Sequence, residues 1–410
     1  MDAKTLGHLE QQGVRVVAPE TVHIDDNVNL AQIKGPNTVL HPGTRLSGDK
    51  LTILSGCEIG GETQATVDNC ALGPQTTLKG GYFSGALFLR QSSMGSGSHV
   101  RAGTILEEEA NGAHTVGLKQ TVLLPFVTLG SLINFCDITM AGGTSRKDHS
   151  EVGSGYIHFN FTPFGKRGDK ATASLIGDIP NGVMVRSKRI FLGGQGGLVG
   201  PLHVDYGSVL AAGFVYRHDY GSDQLVVGEA LTPRSMPFSP LRYNRVRDKM
   251  LKNLTYIGNL VALRNWYQFV RLASGETEIQ PLYQWGIQLL EGNIDERIKR
   301  LEQLAEAMPD SIDVLERSKK NGGPELADQK ALAQHWPEMA QRLAESRNQP
   351  LNGSDSFQLF LEGLEKAKTQ GQQYLEIIRA LDDDAVTIGT RWLSDLVTAQ
   401  VEPVMGYFPA

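Results

Sequence analysis

The sequence predicts two architectures in one chain: a parallel β-helix of triangular section over residues 14–230, then an α-helical bundle over 241–410. Three observations lead there. Aliphatic residues recur every six positions in the first part. Residues 1–235 hold 35 of the 46 glycines, while charge is denser in the remainder. From residue 241 onward the apolar residues switch to helical spacing.

Taken in order, residues 1–13 are expected to form a short helical cap over one open end of the β-helix, where backbone groups would otherwise be unpaired. The six-residue beat follows. Leu192, Leu198, Val204 and Leu210 are spaced by six, as are Met94, Val100 and Leu106, and Leu123, Leu129 and Phe135. Shorter runs are Leu40–Leu46, Ile53–Ile59 and Leu72–Leu78. Each unit reads as a short flat strand and a tight corner. Its aliphatic residue points inward and small residues occupy the corner, where φ is often positive. Three units make a coil of about 18 residues, so roughly ten coils are expected. A β-sandwich is the alternative, but its strands should alternate with period two.

The segment Leu231–Pro240 carries three prolines in ten residues and is expected to be a linker. Beyond it, Val246, Met250, Leu254, Ile257 and Val261 form one apolar stripe, and Ile294, Ile298, Leu301 and Leu304 a second. Leu361, Leu364, Leu375 and Ile378 predict a helix over 357–381, capped by Ser354–Ser356. Breaks are expected at Asn321–Pro324 and Pro350–Gly353. The aromatic group Trp266, Tyr267 and Phe269 reads as core. This part shows no chemical motif; it is expected to be an end cap, an oligomerisation module or a surface for a protein partner.

Composition narrows the function. The net charge of −6 argues against a general nucleic-acid binder. No stretch approaches the ~20 apolar residues that span a bilayer. The N-terminus has no apolar signal core, and Cys57, Cys70 and Cys136 form no metal-type pair, so a cytoplasmic protein with reduced thiols is expected.

Residues 100–220 resemble the acetyltransferase half of the bifunctional glucosamine-1-phosphate N-acetyltransferase / N-acetylglucosamine-1-phosphate uridyltransferase family. The resemblance rests on VGSGYIHFNF (152–161) and LVGPLHVDYGSVLAAGFVYRHD (198–219). It implies a left-handed β-helix of the hexapeptide acyltransferase kind, a homotrimer, acetyl-CoA or another acyl-CoA as donor, and a sugar phosphate or nucleotide sugar as ligand. Carried over by position, Arg101 and Lys119 match the family's phosphate-binding arginine and lysine. The register agrees: each follows an inward aliphatic, Val100 and Leu118, so both face outward one coil apart. Asn160 matches the family's asparagine, with Phe161 in the tyrosine position, and could equally belong to an internal asparagine ladder. Lys166 matches a lysine shortly after. Ala211, Ala212 and Arg217 fall where the resemblance implies donor binding.

The sequence departs from the family at the general base. Ser131 stands in the histidine position and Asn134 in the tyrosine position; an unassisted hydroxyl cannot take a proton from an ammonium at neutral pH. His149, in an inserted segment, and His158 are candidates for a displaced base, with a structural role as the alternative for each. The uridyltransferase half, with its glycine-rich nucleotide loop, is not seen. Residues 144–189 carry an excess of positive charge that would attract an anion, or form a solvated loop. A zinc site like that of the trimeric carbonic anhydrases would use His114 and His149, but position 154 is Ser, so no metal is expected. Two functions stay open: an acyltransferase-like protein acting on or binding a sugar phosphate or nucleotide sugar, and a catalytically silent binding or scaffold protein that lacks the base.

Overall fold

The computed structural model describes residues 1–166, 168–228, 232–233, 235–317, 323–348 and 354–409. Arg167, Leu231 and Arg234 of the linker, and the expected breaks at Asn321–Gly322 and Pro350–Gly353, lie outside the described residues. The chain is a left-handed parallel β-helix followed by an α-helical region.

The β-helix has three faces. Eleven short parallel strands stack on the first, from Arg15–Val16 to Leu225–Val226. The inward column there runs through Leu40, Ile59, Leu78 and Met94, and later through Val152, Leu192 and Leu210. The second face carries Leu46, Val67, Phe83, Val100 and Leu118 in its column, and the third carries Ile53, Leu72, Phe88, Leu106, Leu123, Met140, Ile176 and Val204. All of these side chains are buried, so the six-residue beat is the spacing of the stacked core. Strands Gly117–Leu123 and Asn134–Met140 run unbroken round the corner between the second and third faces. They turn at Gln120 (φ 47°) and Asp137 (φ 58°), left-handed positions that side chains rarely adopt.

Helix α1 (Ala3–Gln11) precedes the first coil and buries Leu9. A single helical turn, α2 (Ile179–Gly182), interrupts the later coils. The helical region comprises α3 (Val246–Trp266), α4 (Gln280–Glu306), α5 (Met308–Arg317), α6 (Gly323–Asn348), α7 (Asp355–Lys368), α8 (Tyr374–Ala380) and α9 (Asp383–Met405). The predicted helix over 357–381 is two helices. The chain breaks at Thr369–Gln373, where Gly371 lies so close to Ile377 that a Cβ would meet its backbone nitrogen at 2.7 Å. A capping box between Gln373 and Glu376 then restarts the helix.

The helical region does not cap an open end; it lies along the third face. The third-face strands are apolar on both sides. Leu87, Ile105, Val122 and Leu175 point outward and share one core with Leu254, Ile257, Leu290 and Ile294 of α3 and α4. Helix asparagines meet the β-helix backbone at the edges of this contact. Asn253 donates to the Ala171 carbonyl (3.1 Å), Asn293 donates to the Gly103 carbonyl (2.8 Å), and the Ile179 N–H donates to Asn259 Oδ1 (2.8 Å). These bonds satisfy corner groups that the coil ladder leaves open.

A second junction lies at the corner between the third and first faces. There Arg271, fully buried, reaches Glu107 (2.8 Å) and Glu108 (2.7 Å). Its guanidinium carbon lies 3.7 Å from the Tyr374 ring centroid, and Tyr267 donates to Glu107 Oε1 at 2.8 Å. A π-helical turn, Tyr267–Arg271, directs both residues to that corner. Burial pushes the Glu107 carboxyl up to about 7, against the pull of Arg271.

Candidate functional site: a cationic cleft between the β-helix and α4

Val100 and Leu118 are adjacent in the inward column, so Arg101 and Lys119 follow them on the outer wall of successive coils. Cys136 is next to Lys119 on the third coil. Arg101 Nη2 lies 3.6 Å from Cys136 Sγ. Burial raises the Cys136 thiol above its ordinary range, as does Asp137, while Arg101 and Lys119 oppose the shift. On the following coil Asn160 donates to Asp137 Oδ2 (2.8 Å). Asp137, at its left-handed corner, thus holds Asn160 on the same wall.

Helix α4 runs along this corner and supplies the opposite wall. Asn293 and Arg297, four residues apart on its buried stripe, anchor it to Gly103 and Asp137. Arg297 pairs with Asp137 at 2.9 Å and also donates to the Lys170 carbonyl. Between the walls lies a cleft of about 270 Å³ lined by Arg101, Lys119, Cys136, Asn160, Phe161 and Lys170 from the β-helix side and by Glu296, Arg297 and Arg300 from α4. Arg297 is neutralised by Asp137, and Arg300 is paired with Glu296. Arg101, Lys119 and Lys170 form no ion pair with a described carboxylate. The cleft therefore holds three uncompensated cations in a protein of net negative charge, an arrangement suited to an anion with several acceptor oxygens.

The other candidate residues lie elsewhere. Lys166 pairs with Asp310 (2.6 Å) and lines a separate pocket beside Tyr243. Asn134 is exposed on the outer wall of the second face, next to Ile157. Ser131 sits at the corner between the first and second faces, where its N–H donates to Ser154 Oγ (3.1 Å). Arg101 and Lys119 occupy the opposite edge of the second face. Ala211, Ala212 and Arg217 belong to coils further along the prism. Arg217 is exposed and donates to its own Val215 carbonyl at 2.7 Å.

The two histidines also separate. His149 closes a hairpin, Gly143–Ser145 with Asp148–His149, at the corner between the third and first faces. Burial and Arg146 lower its pKa. His158 falls in the inward column of the second face, next to Leu198. Its Nδ1 donates to the Cys136 carbonyl (2.6 Å) and its Nε2 accepts from Ser174 (2.8 Å). Both bonds fit the neutral ring, and burial lowers its pKa to about 4. His158 thus presents no free nitrogen to the outer wall. His114 and His149 stand at different corners, and among the described residues no three His, Cys, Asp or Glu side chains are grouped as a metal site.

The positive segment 144–189 does not converge either. Arg146 donates to the Glu109 and Phe126 carbonyls, Arg186 pairs with Asp383, and Lys188 pairs with Asp223. Among the described cations of this stretch only Lys170 lines the cleft. Lys170 belongs to the positive stretch read from the sequence, whereas Glu296, Arg297 and Arg300 were not singled out there. A signal existed: Asn293, Arg297 and Arg300 recur at helical spacing beside the apolar stripe of α4.

The chain is 28% identical over 216 residues to the bifunctional protein GlmU of Pelobacter propionicus, covering 52% of this chain and 41% of that protein. It is 30% identical over 194 residues to GlmU of Thermus thermophilus, covering 47% and 37%. For GlmU of Geotalea uraniireducens the identity is 26% over 219 residues, covering 53% and 42%. Over about half its length the chain is homologous to GlmU. The matched length is close to that of the β-helix, and the chain spans about two-fifths of these curated relatives. No family model matches the chain. Among the described residues no helix is long and apolar enough to cross a membrane.

Proposed function

We propose that the protein binds a sugar phosphate or nucleotide sugar in the cleft between Arg101, Lys119 and α4, as an acyltransferase-like β-helix protein assembled as a homotrimer. The observation that carries this reading is the convergence of Arg101, Lys119 and Lys170 in one cleft without a described carboxylate partner. Each charge-assisted hydrogen bond to a phosphate would contribute about 1.5–3 kcal/mol. Phe161, half exposed at the cleft, offers an aromatic face to a sugar ring.

Binding without amine acetylation is the favoured form. Ser131 occupies the base position, no histidine lines the cleft among the described residues, and both ring nitrogens of His158 are engaged. A second reading, acyl transfer from acetyl-CoA or another acyl-CoA, is supported by the homology to GlmU. It would use His149 from a neighbouring subunit as base, and Arg217 as an exposed cation for a donor phosphate.

Calorimetric titration with sugar 1-phosphates, nucleotide sugars and acetyl-CoA tests both. Under the binding reading, a sugar phosphate or nucleotide sugar binds, and Arg101→Ala and Lys119→Ala each weaken it at least tenfold. Equal affinity in wild type and both variants would overturn the reading. Acetylation of an amino sugar phosphate, lowered about 10²–10⁴-fold by His149→Ala, would establish the second reading instead.

A further inference from the structure

The β-helix supplies only one wall of the cleft. Three features of α4 mark the other wall as more than a support. Arg300 lies at the cleft with its Nε buried and without an acceptor. Nη1 donates to Gln303 Oε1 (2.8 Å) and Nη2 donates to Glu296, one turn back on the same helix. Glu296 is the one carboxylate at the cleft that belongs to no interwall bond, since Asp137 is consumed by Arg297 and Asn160.

The Arg300 side chain keeps part of its surface open to the cleft, so its pair with Glu296 is exposed to exchange with an incoming anion. A carboxylate folded onto the same guanidinium occupies the position that an incoming oxyanion would take. Arg297 by contrast is fixed at 2.9 Å on Asp137 and is almost fully buried, so it holds the wall in place. The volume sets the ligand's size. About 270 Å³ lies just below the usual range of small-molecule pockets, roughly 300 to 1,000 Å³. That suits a monophosphorylated sugar better than a nucleotide sugar.

We infer that Arg300 of α4 is an anion-contacting residue of this cleft: the phosphate of a monophosphorylated sugar displaces Glu296 from Arg300 and is held between Arg300 on one wall and Arg101 and Lys119 on the other. The inference rests on the binding reading above and assigns the helical region a part in recognition, with Glu296 as a built-in competitor for the anion.

The test is calorimetric titration of glucosamine 1-phosphate, and separately of UDP-N-acetylglucosamine, into the full-length protein at low salt. Arg300→Ala should weaken the sugar phosphate about ten- to a hundredfold, as Arg101→Ala does. Arg300→Lys should recover part of the loss. Glu296→Gln, which removes the competing charge without removing bulk, should tighten binding about two- to fivefold. Unchanged affinity in Arg300→Ala beside a clear loss in Arg101→Ala would overturn the inference and leave the binding reading intact. No binding of either probe by wild type would overturn both. If Arg300→Ala does not fold, Arg300→Lys and Glu296→Gln decide, because both keep the helix packing; wild-type affinity in both sinks the proposal. Tighter binding of the nucleotide sugar than of the sugar phosphate would refute the size assignment.

Discussion

Replacing Arg271 by Met should separate the helical region from the β-helix more effectively than any cavity-forming change between them. In the wild type one guanidinium, wholly removed from water, serves Glu107 at 2.8 Å and Glu108 at 2.7 and 3.0 Å. It also stacks on Tyr374, with Tyr267 and Tyr283 at 4.8 and 5.4 Å. Methionine keeps much of the apolar volume but leaves two carboxylates buried and unpaired. Removing one partner of a buried pair costs about 3–5 kcal/mol, and the loss of a desolvated cation–π contact adds up to about 2 kcal/mol.

The pH dependence makes the prediction specific. The Glu107 carboxyl is raised in the folded state, to about 7 from an ordinary 4.5. A raised acid favours the folded state below its unfolded pKa, and that contribution is lost as pH rises through the folded pKa. Arg271 is the group that pulls this pKa down, so its removal raises it further. Arg271→Met should therefore lose more at pH 7.5 than at pH 5, where the Glu107 carboxyl can be buried neutral. Adding Glu107→Gln and Glu108→Gln should recover most of the loss. The assay is denaturant unfolding at the two pH values, with double-mutant cycles. A loss below about 1 kcal/mol at pH 7.5, or an equal loss at both pH values, would refute the reasoning.

Two further predictions are independent of that junction. His158 is held neutral with a lowered pKa of about 4, so it contributes stability above pH 6.5 that is lost as pH falls through 4; His158→Gln should flatten that acid limb, measured by unfolding between pH 4 and 7. Gly103→Ala introduces a side chain at φ 80°, with its Cβ 2.3 Å from Asn293 Oδ1. It should move α4 off the corner and weaken sugar-phosphate binding without changing any charge, which titration beside a thermal melt would show.

The fold was legible because its core is a column: each coil repeats one inward aliphatic, and the period is stronger than any local propensity. The outward placement of Arg101 and Lys119 follows from the same register. The course of the helical region was harder to read, although the signal was in the strands themselves. Ala86–Phe88, Thr104–Leu106 and Ser174–Ile176 place Leu87, Ile105 and Leu175 on the outside, where Tyr82 and His99 stand on the second face. In the coils around residues 82–106 the outer residue is aliphatic on the third face and Tyr82 or His99 on the second, which marks the third face as the covered one. Glu107 and Glu108 could not be found this way. They follow Leu106 at a corner, where a run of glutamates reads as solvated, and it is the approach of Tyr267 and Arg271, 160 and 163 residues away, that buries them. The break at Gly371 was missed because the apolar spacing on its two sides happens to stay in phase.

Coverage of the third face also constrains the proposed trimer. A homotrimer of these prisms must use the first and second faces, because α3 and α4 occupy the third. The exposed large apolar residues on strands agree. Phe191, Val209 and Leu225 lie on the first face, and Tyr82, Ile157, Phe159 and Val215 on the second; among the described residues none lies on the third. The Ser131 corner is the edge where these two faces meet, so a neighbouring subunit would pass close to it. Interfaces of this kind bury about 800 Å² per partner and place their apolar residues at the centre. Val209→Glu and Ile157→Glu put a charge there while leaving the inward columns untouched, since both side chains point away from the core. Each variant should keep the wild-type circular-dichroism spectrum and lose the trimer's molar mass by light scattering at micromolar concentration. If both variants stay trimeric, the subunits associate through some other surface. If the wild type is itself a monomer, no neighbouring subunit exists to bring His149 to the cleft, and acyl transfer by that route fails with it.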